Sequence, residues 1–269
     1  MHGGIKRQSG MPGHMDRTKK DSMEIKSLAS VGFDTIFTAF AGAFADYEMQ
    51  LDRVQLRKML KRRGFDPDLS FAAFEGERIV AFTFNGIGRF DGIPTAYDTG
   101  TGTLQEYRGR GLATAIFEHS IPYLREAGIG QYLLEVLQHN TRAVSVYRNL
   151  GFEVTREFNY FIQAKNALSV PEKKPVFPCV VRPIRLAAYG SLADFWDFEP
   201  AWQNSFAAIE RSPEDFITLG LFTEEQLIGY CVFEPASGDV TQLAVDKRYR
   251  RKSAGSLLLQ EMLRVTGSG

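Results

Sequence analysis

Gln105-Glu106-Tyr107-Arg108-Gly109-Arg110-Gly111-Leu112-Ala113 sits between a strand-like run, Thr95 to Leu104, and a helix-like run, Leu112 to Glu126. Small residues at a strand-to-helix turn bring the backbone close to a ligand. The first-turn N–H groups of the helix have no partner within it, and they carry the positive end of its dipole. Such a turn cradles a pyrophosphate. Dinucleotide and P-loop turns use the same physics, but the chain has no Gly-x-Gly-x-x-Gly and no Gly-Lys-Ser/Thr at this point.

A second run follows at 133 to 152: Leu-Leu-Glu-Val-Leu-Gln-His-Asn-Thr-Arg-Ala-Val-Ser-Val-Tyr-Arg-Asn-Leu-Gly-Phe. An apolar strand is expected to end near Leu137, Asn140 to cap the next helix, and Gly151 to close it. Taken together, Arg-x-x-Gly-x-Ala at the turn, Asn-x-x-Ala-x-x-x-Tyr from Asn140 through Ala143 to Tyr147, and Leu-Gly-Phe after it resemble the GNAT N-acetyltransferases. The resemblance spans roughly residues 23 to 165. It implies an α/β fold with a mixed, mostly antiparallel sheet flanked by helices, acetyl-CoA as cosubstrate, and an amine as acceptor.

Composition bounds the remaining possibilities. A chain of 269 residues accommodates one large or two ordinary domains, and 44% hydrophobic content supports a substantial core. Thirty-two basic residues balance thirty-two acidic ones, so no global field draws the chain to nucleic acid or a membrane. No apolar run has the length of a bilayer span. The two cysteines, Cys179 and Cys231, lie in strand-like surroundings, which favours a reducing, cytoplasmic setting over a disulfide framework. The four histidines show no metal-ligand spacing. Residues 1–22 read as a mobile leader and not as a signal peptide.

Along the chain, Met23 to Ser27 reads as a first strand, and Val31 to Tyr47 and Leu51 to Arg63 as a helix pair. Ser70 to Phe74 and Arg78 to Asn85 form a hairpin, followed by a loop holding Gly86, Gly88, Gly92 and Pro94. After the cradle come a helix, a strand from Gln131 to Leu137, a helix from Ala143 to Asn149, and a strand pair over Phe152 to Ala164. Periodicity gives only an α/β mixture; the resemblance supplies the topology.

The Pro-rich stretch Val170 to Pro178 marks a linker. Beyond it the chain repeats itself. Phe74–Phe84 matches Phe222–Val232 at an offset of 148, and Tyr107–Ala113 matches Tyr249–Gly255 at an offset of 142. The missing residues fall between the third and fourth strands. The expected organisation is a leader (1–22), a GNAT domain (23–165), a linker (166–178) and a partial, degenerate GNAT-like domain (179–269). The second copy has Ser253 in place of the middle glycine, and nothing corresponds to the Asn–Tyr helix. The sheet edge this leaves open is expected to be buried, against the first domain or in a homodimer.

Acyl transfer from a thioester to an amine needs an anchor, a base, an oxyanion site and an acid. The anchor is expected from the N–H groups of Gly109, Arg110, Gly111, Leu112, Ala113 and Thr114, with Arg108 and Arg110 as adjacent charges. The resemblance implies that the backbone of Thr103 and Leu104 pairs with the pantetheine arm, and that Asn140 reaches its amides. It also implies that Tyr147 is the general acid, a phenol able to protonate the departing thiolate. An amine with pKa about 10.4 is neutral in roughly one part in a thousand at pH 7.4, a penalty of about 4 kcal/mol, so a base helps. Glu135, twelve residues before Tyr147, resembles the base of the ribosomal-protein N-terminal acetyltransferases. Asp98 on the cradle strand is the second candidate. Asp46, Glu48 and Asp52 read as a solvated turn bordering the acceptor end. A rival reading, a non-catalytic acyl-CoA sensor or scaffold, predicts no effect of Tyr147→Phe.

Overall fold

The computed structural model describes residues 23–47, 50–164, 167–170, 174–190 and 192–266. The leader expected over 1–22, Glu48 and part of the linker lie outside them.

The first half runs β1 (Glu24–Ser27), α1 (Phe33–Ala43), α2 (Arg53–Arg63), β2 (Phe71–Glu75), β3 (Arg78–Phe90), β4 (Ile93–Thr103), α3 (Leu112–Glu126), β5 (Gln131–Leu133) and α4 (Thr141–Asn149). The strands pair in the order β1-β2-β3-β4-β5, antiparallel except for the parallel β4–β5 pair. Continuous apolar runs in β2 and β3 are buried on both faces because helices cover both. Ile36, Ala39, Phe40 and Ala43 form one stripe of α1, and Phe40 stacks near Phe82 and Phe84 in the core. Helix α2 starts at a capping box between Asp52 and Gln55 and ends at Gly64 in the left-handed region, φ 76°.

Two regions depart from the sequence expectation. The stretch with Gly86 and Gly88 is not a loop: β3 continues to Phe90 and turns at Asp91 and Gly92, both at positive φ, as a two-residue Asp-Gly hairpin prefers. The glycines are there for space, since a Cβ at Gly86 would lie 2.1 Å from the Arg63 carbonyl oxygen. The strand expected to reach Leu137 ends at Leu133, and no strand forms over 152–164. Alternation alone does not make a strand without a ladder to join. Arg156 ties this segment elsewhere, donating to the Glu199 and Pro200 carbonyls and lying over the Phe90 and Phe158 rings.

The second half consists of β6 (Val180–Pro183), α5 (Phe206–Arg211), β7 (Ile217–Thr223), β8 (Gln226–Glu234), β9 (Asp239–Val245) and α6 (Ala254–Thr266), with strands in the order β6-β7-β8-β9. Its backbone repeats the first half in detail. Register shifts at Ala73/Phe74 and Phe84/Asn85 recur at Leu221/Phe222 and Val232/Phe233. The shorter β8–β9 hairpin absorbs the change of offset. Among the described residues no helix is long and apolar enough to cross a membrane.

Candidate active site

The site begins where two strands part. Strand β4 pairs with β5 only at Thr95–Gln131, Ala96–Tyr132 and Tyr97–Leu133. From Asp98 onward the β5 side of β4 opens into a cleft of about 1880 Å³, lined by Thr103, Gly111, Asn140, Tyr147 and residues of the second half.

At one end lies the turn read from the sequence. Gly109 and Gly111 hold φ of 77° and 75°, a conformation costly for residues with a Cβ. A Cβ at either would meet nothing within 4 Å, so the concave side of the turn is open. The Ala115 N–H bonds the Gly111 carbonyl at 3.0 Å, which leaves the amides of Leu112, Ala113 and Thr114 at the uncapped start of α3.

Arg108 does something other than expected. Its guanidinium donates to the Thr103 carbonyl at 3.2 Å, the Ala43 carbonyl at 2.8 Å and Asp46 at 2.5 and 2.7 Å. The Asp46 carboxyl is held down at about 2, chiefly by this bond. Arg108 therefore clamps the turn to the end of α1, while Arg110 stays at the surface, donating to the Glu106 carbonyl at 2.6 Å with its guanidinium over the Tyr107 ring. Asn140 caps α4, accepting from the Ala143 N–H at 3.2 Å through Oδ1. That bond engages Oδ1, and Asn140 also lines the cleft.

At the other end the structure brings together Tyr147 and Asp98. The Tyr147 hydroxyl donates to Asp98 Oδ2 at 2.8 Å, and burial, followed by the Asp98 charge, raises its pKa. Asp98 stands half-buried in the cleft wall. It also accepts from the Gly100 N–H at 2.9 Å and the Thr101 hydroxyl at 2.7 Å. Burial pushes its carboxyl above the usual range against these three donors. Glu135 is exposed; it accepts from the Trp202 backbone N–H at 3.3 Å, and its carboxylate also lies beside the Tyr97 phenol.

Trp202 is the contribution that sequence reading missed. The segment from Ala201 to Ser205 docks the second half on the end of the first sheet. Trp202 is 3% exposed and stacks on Tyr97 with ring centroids 5.1 Å apart and planes 2° from parallel. Its indole N–H donates to the Arg63 carbonyl at 2.9 Å. The Tyr97 hydroxyl donates to Gln203 at 3.0 Å, while Arg62 donates to the Gln203 carbonyl at 2.7 Å and to Asn204 at 2.9 Å. Burial, then the nearby Glu135 and Asp98 charges, raise the Tyr97 phenol. A Cβ at Gly88 would lie 2.7 Å from Arg211 and 3.0 Å from the Trp202 ring, so the first half is cut to receive the second. The one sequence signal was a tryptophan, one of two in the chain, in a region with no motif.

Comparison with known proteins bears on what this cleft does. The acetyltransferase (GNAT) family model matches residues 33–152 and again 182–267. The chain is 33% identical over 112 residues to a mycothiol acetyltransferase of Saccharomonospora viridis, covering 39% of this chain and 37% of that protein. It is 32% identical over 123 residues to a mycothiol acetyltransferase of Thermobifida fusca, covering 42% of this chain and 38% of that protein. With N-alpha-acetyltransferase 30 of Schizosaccharomyces pombe it shares 27% identity over 103 residues, 38% of this chain and 69% of that one. The matches thus span less than half the length of the mycothiol enzymes.

Proposed function

The chain belongs to the GNAT acetyltransferase family, and from that premise we propose that it transfers an acetyl group from acetyl-CoA to a primary amine by direct attack in a ternary complex. The observation that carries this reading is the position of Tyr147: a phenol on the wall of one cleft whose far end is the open Gly109–Gly111 turn. The amides at the start of α3 hold the pyrophosphate. The free edge of β4 at Thr103 receives the pantetheine arm, as an added strand would, and the Thr103 N–H stabilises the oxyanion; Leu104, expected to share this role, has its N–H spent on the Val80 carbonyl at 2.9 Å. The acetyl carbonyl then lies beside Tyr147.

Glu135 is the base in this reading. It is exposed, faces the cleft and is held by the Trp202 N–H, so the second half positions it. The acceptor amine loses a proton toward Glu135 and attacks the thioester carbonyl, and Tyr147 protonates the departing sulfur. Two relatives are named for mycothiol and one for N-alpha acetylation, and the latter supports an amine acceptor. We also assign the domain division, a GNAT unit over 23–165 joined through 166–178 to a partial unit over 179–269. In this division the partial unit is a wall of the acceptor end and not a second catalyst.

The test is thiol release from acetyl-CoA with a panel of amines. Acetyl transfer that Tyr147→Phe abolishes while CoA still binds supports the enzyme. CoA binding without transfer, unchanged in the variant, supports the sensor reading in its place.

A further inference from the structure

The Tyr147 hydroxyl has one proton, and in this structure that proton is donated to Asp98. A phenol aimed at a carboxylate is a poor acid. If Asp98 carries the proton, the bond reverses: the carboxylic O–H donates to the Tyr147 oxygen, and the phenolic proton is free to turn toward the leaving group. Resting on the acetyl-transfer reading above, we propose that Asp98 is the proton store of Tyr147, a catalytic residue whose own protonation decides whether the phenol can act as an acid.

The surroundings of Asp98 suit a group that changes charge. From its own strand it faces the Gly100 N–H and the Thr101 hydroxyl, and its charge reaches the Tyr97 phenol; from α4 it faces Tyr147. From β5 comes Tyr132, whose hydroxyl is spent on Asn85 of β3 at 2.6 Å. From α2 comes Arg63, whose guanidinium donates to the Thr99 carbonyl at 2.8 Å and gives Asp98 only a distant positive charge. Among the described residues Asp98 has no ion-pair partner. Three hydrogen-bond donors favour its anionic form, burial opposes them and no ion pair adds to them, and the cleft gives protons a way in and out.

The proton count closes. The acceptor ammonium loses its first proton to solvent by way of Glu135. The neutral nitrogen forms its bond to the thioester carbon, and the Asp98 carboxylate takes the second nitrogen proton. As the carbon–sulfur bond breaks, Tyr147 gives its proton to sulfur and Asp98 gives its own to Tyr147. The pair ends as it began, and one proton leaves per turnover, as the reaction requires.

The test places 3-fluorotyrosine at position 147 of the full chain and follows its fluorine resonance from acid to alkaline pH with CoA bound. The expected result is a step at the Asp98 midpoint, above the ordinary carboxylate range and well before the phenol ionises. Asp98→Asn removes that step and lets the phenol ionise at lower pH. It also lowers kcat for acetyl transfer about 100-fold or more, with KM for acetyl-CoA unchanged. If that variant does not fold, Tyr147→Phe with carbonyl-13C aspartate replaces it: losing the phenolic donor raises the Asp98 midpoint. Identical fluorine profiles with and without Asp98, or an Asp98 midpoint unmoved by Tyr147→Phe, overturn the proposal. The titrations need no acceptor and no turnover, so lost coupling with intact transfer sinks only the store, and intact coupling without transfer sinks only the enzyme reading.

Discussion

The two copies build the same turn from different residues. In the first, Arg108 bonds the Thr103 carbonyl, the Ala43 carbonyl and Asp46. In the second, Arg250 bonds the Val245 carbonyl at 2.8 Å, the Phe195 carbonyl at 2.7 Å and Asp197 at 2.8 and 2.9 Å. The left-handed positions are Gly109 and Gly111 in one copy and Arg251 and Ser253 in the other, at φ of 60° and 65° for the latter pair. Each non-glycine residue there costs about 1 kcal/mol. The arginine clamp therefore fixes the shape of the turn, and the glycines relieve its strain and leave it open. The copies differ more sharply downstream. Beyond β4 lie the cleft and Tyr147, whereas among the described residues β9 has only β8 beside it.

Tyr147→Phe is the harshest test of that asymmetry. Acetyl transfer should fall by about 10²–10⁴-fold while acetyl-CoA affinity changes less than about twofold, read by steady-state kinetics and calorimetry. If activity survives, the chemistry does not belong to the first copy. Trp202→Ala probes the docking of the copies. Removing a fully buried indole should destabilise the chain by about 3–5 kcal/mol, seen in denaturant unfolding, with KM for the acceptor rising in the surviving fold. A cost under about 1 kcal/mol would mean that the halves do not rest on each other.

Gly111→Asp adds strain at φ 75° and an anion at the mouth of the turn, and should weaken acetyl-CoA binding by about tenfold or more. Ser253→Gly, its counterpart, relieves strain and should stabilise the chain by about 1 kcal/mol in thermal or denaturant unfolding, with acetyl-CoA affinity unchanged. A loss of affinity there would show that the second turn contributes to binding.

The parts of this fold legible in the sequence are those coded by local rules. The turn needs glycine at two left-handed positions, α4 needs a capping side chain at Asn140, and the repeat shows because both copies keep the same apolar strands. What stayed hidden depends on partners distant in sequence. Arg108 reads as a phosphate ligand until Asp46 and the end of α1 are seen beside it. Gly86 and Gly88 read as a loop because the Arg63 carbonyl, Trp202 and Arg211 that demand their smallness lie elsewhere in the chain. The alternating residues 152–164 read as strands, yet β5 ends at Leu133 and offers them no ladder. Glu135 and Asp98 could be named as candidate bases from their strands. Only the structure shows that Asp98 accepts the Tyr147 O–H and that Glu135 is held from the other copy.

Calorimetric titration of the full chain with acetyl-CoA tests most directly the claim that one turn binds and the other only supports. The account predicts a single site, lost in Gly111→Asp and retained in Ser253→Asp. Two sites, or a single site that survives Gly111→Asp and disappears with Ser253→Asp, would contradict it.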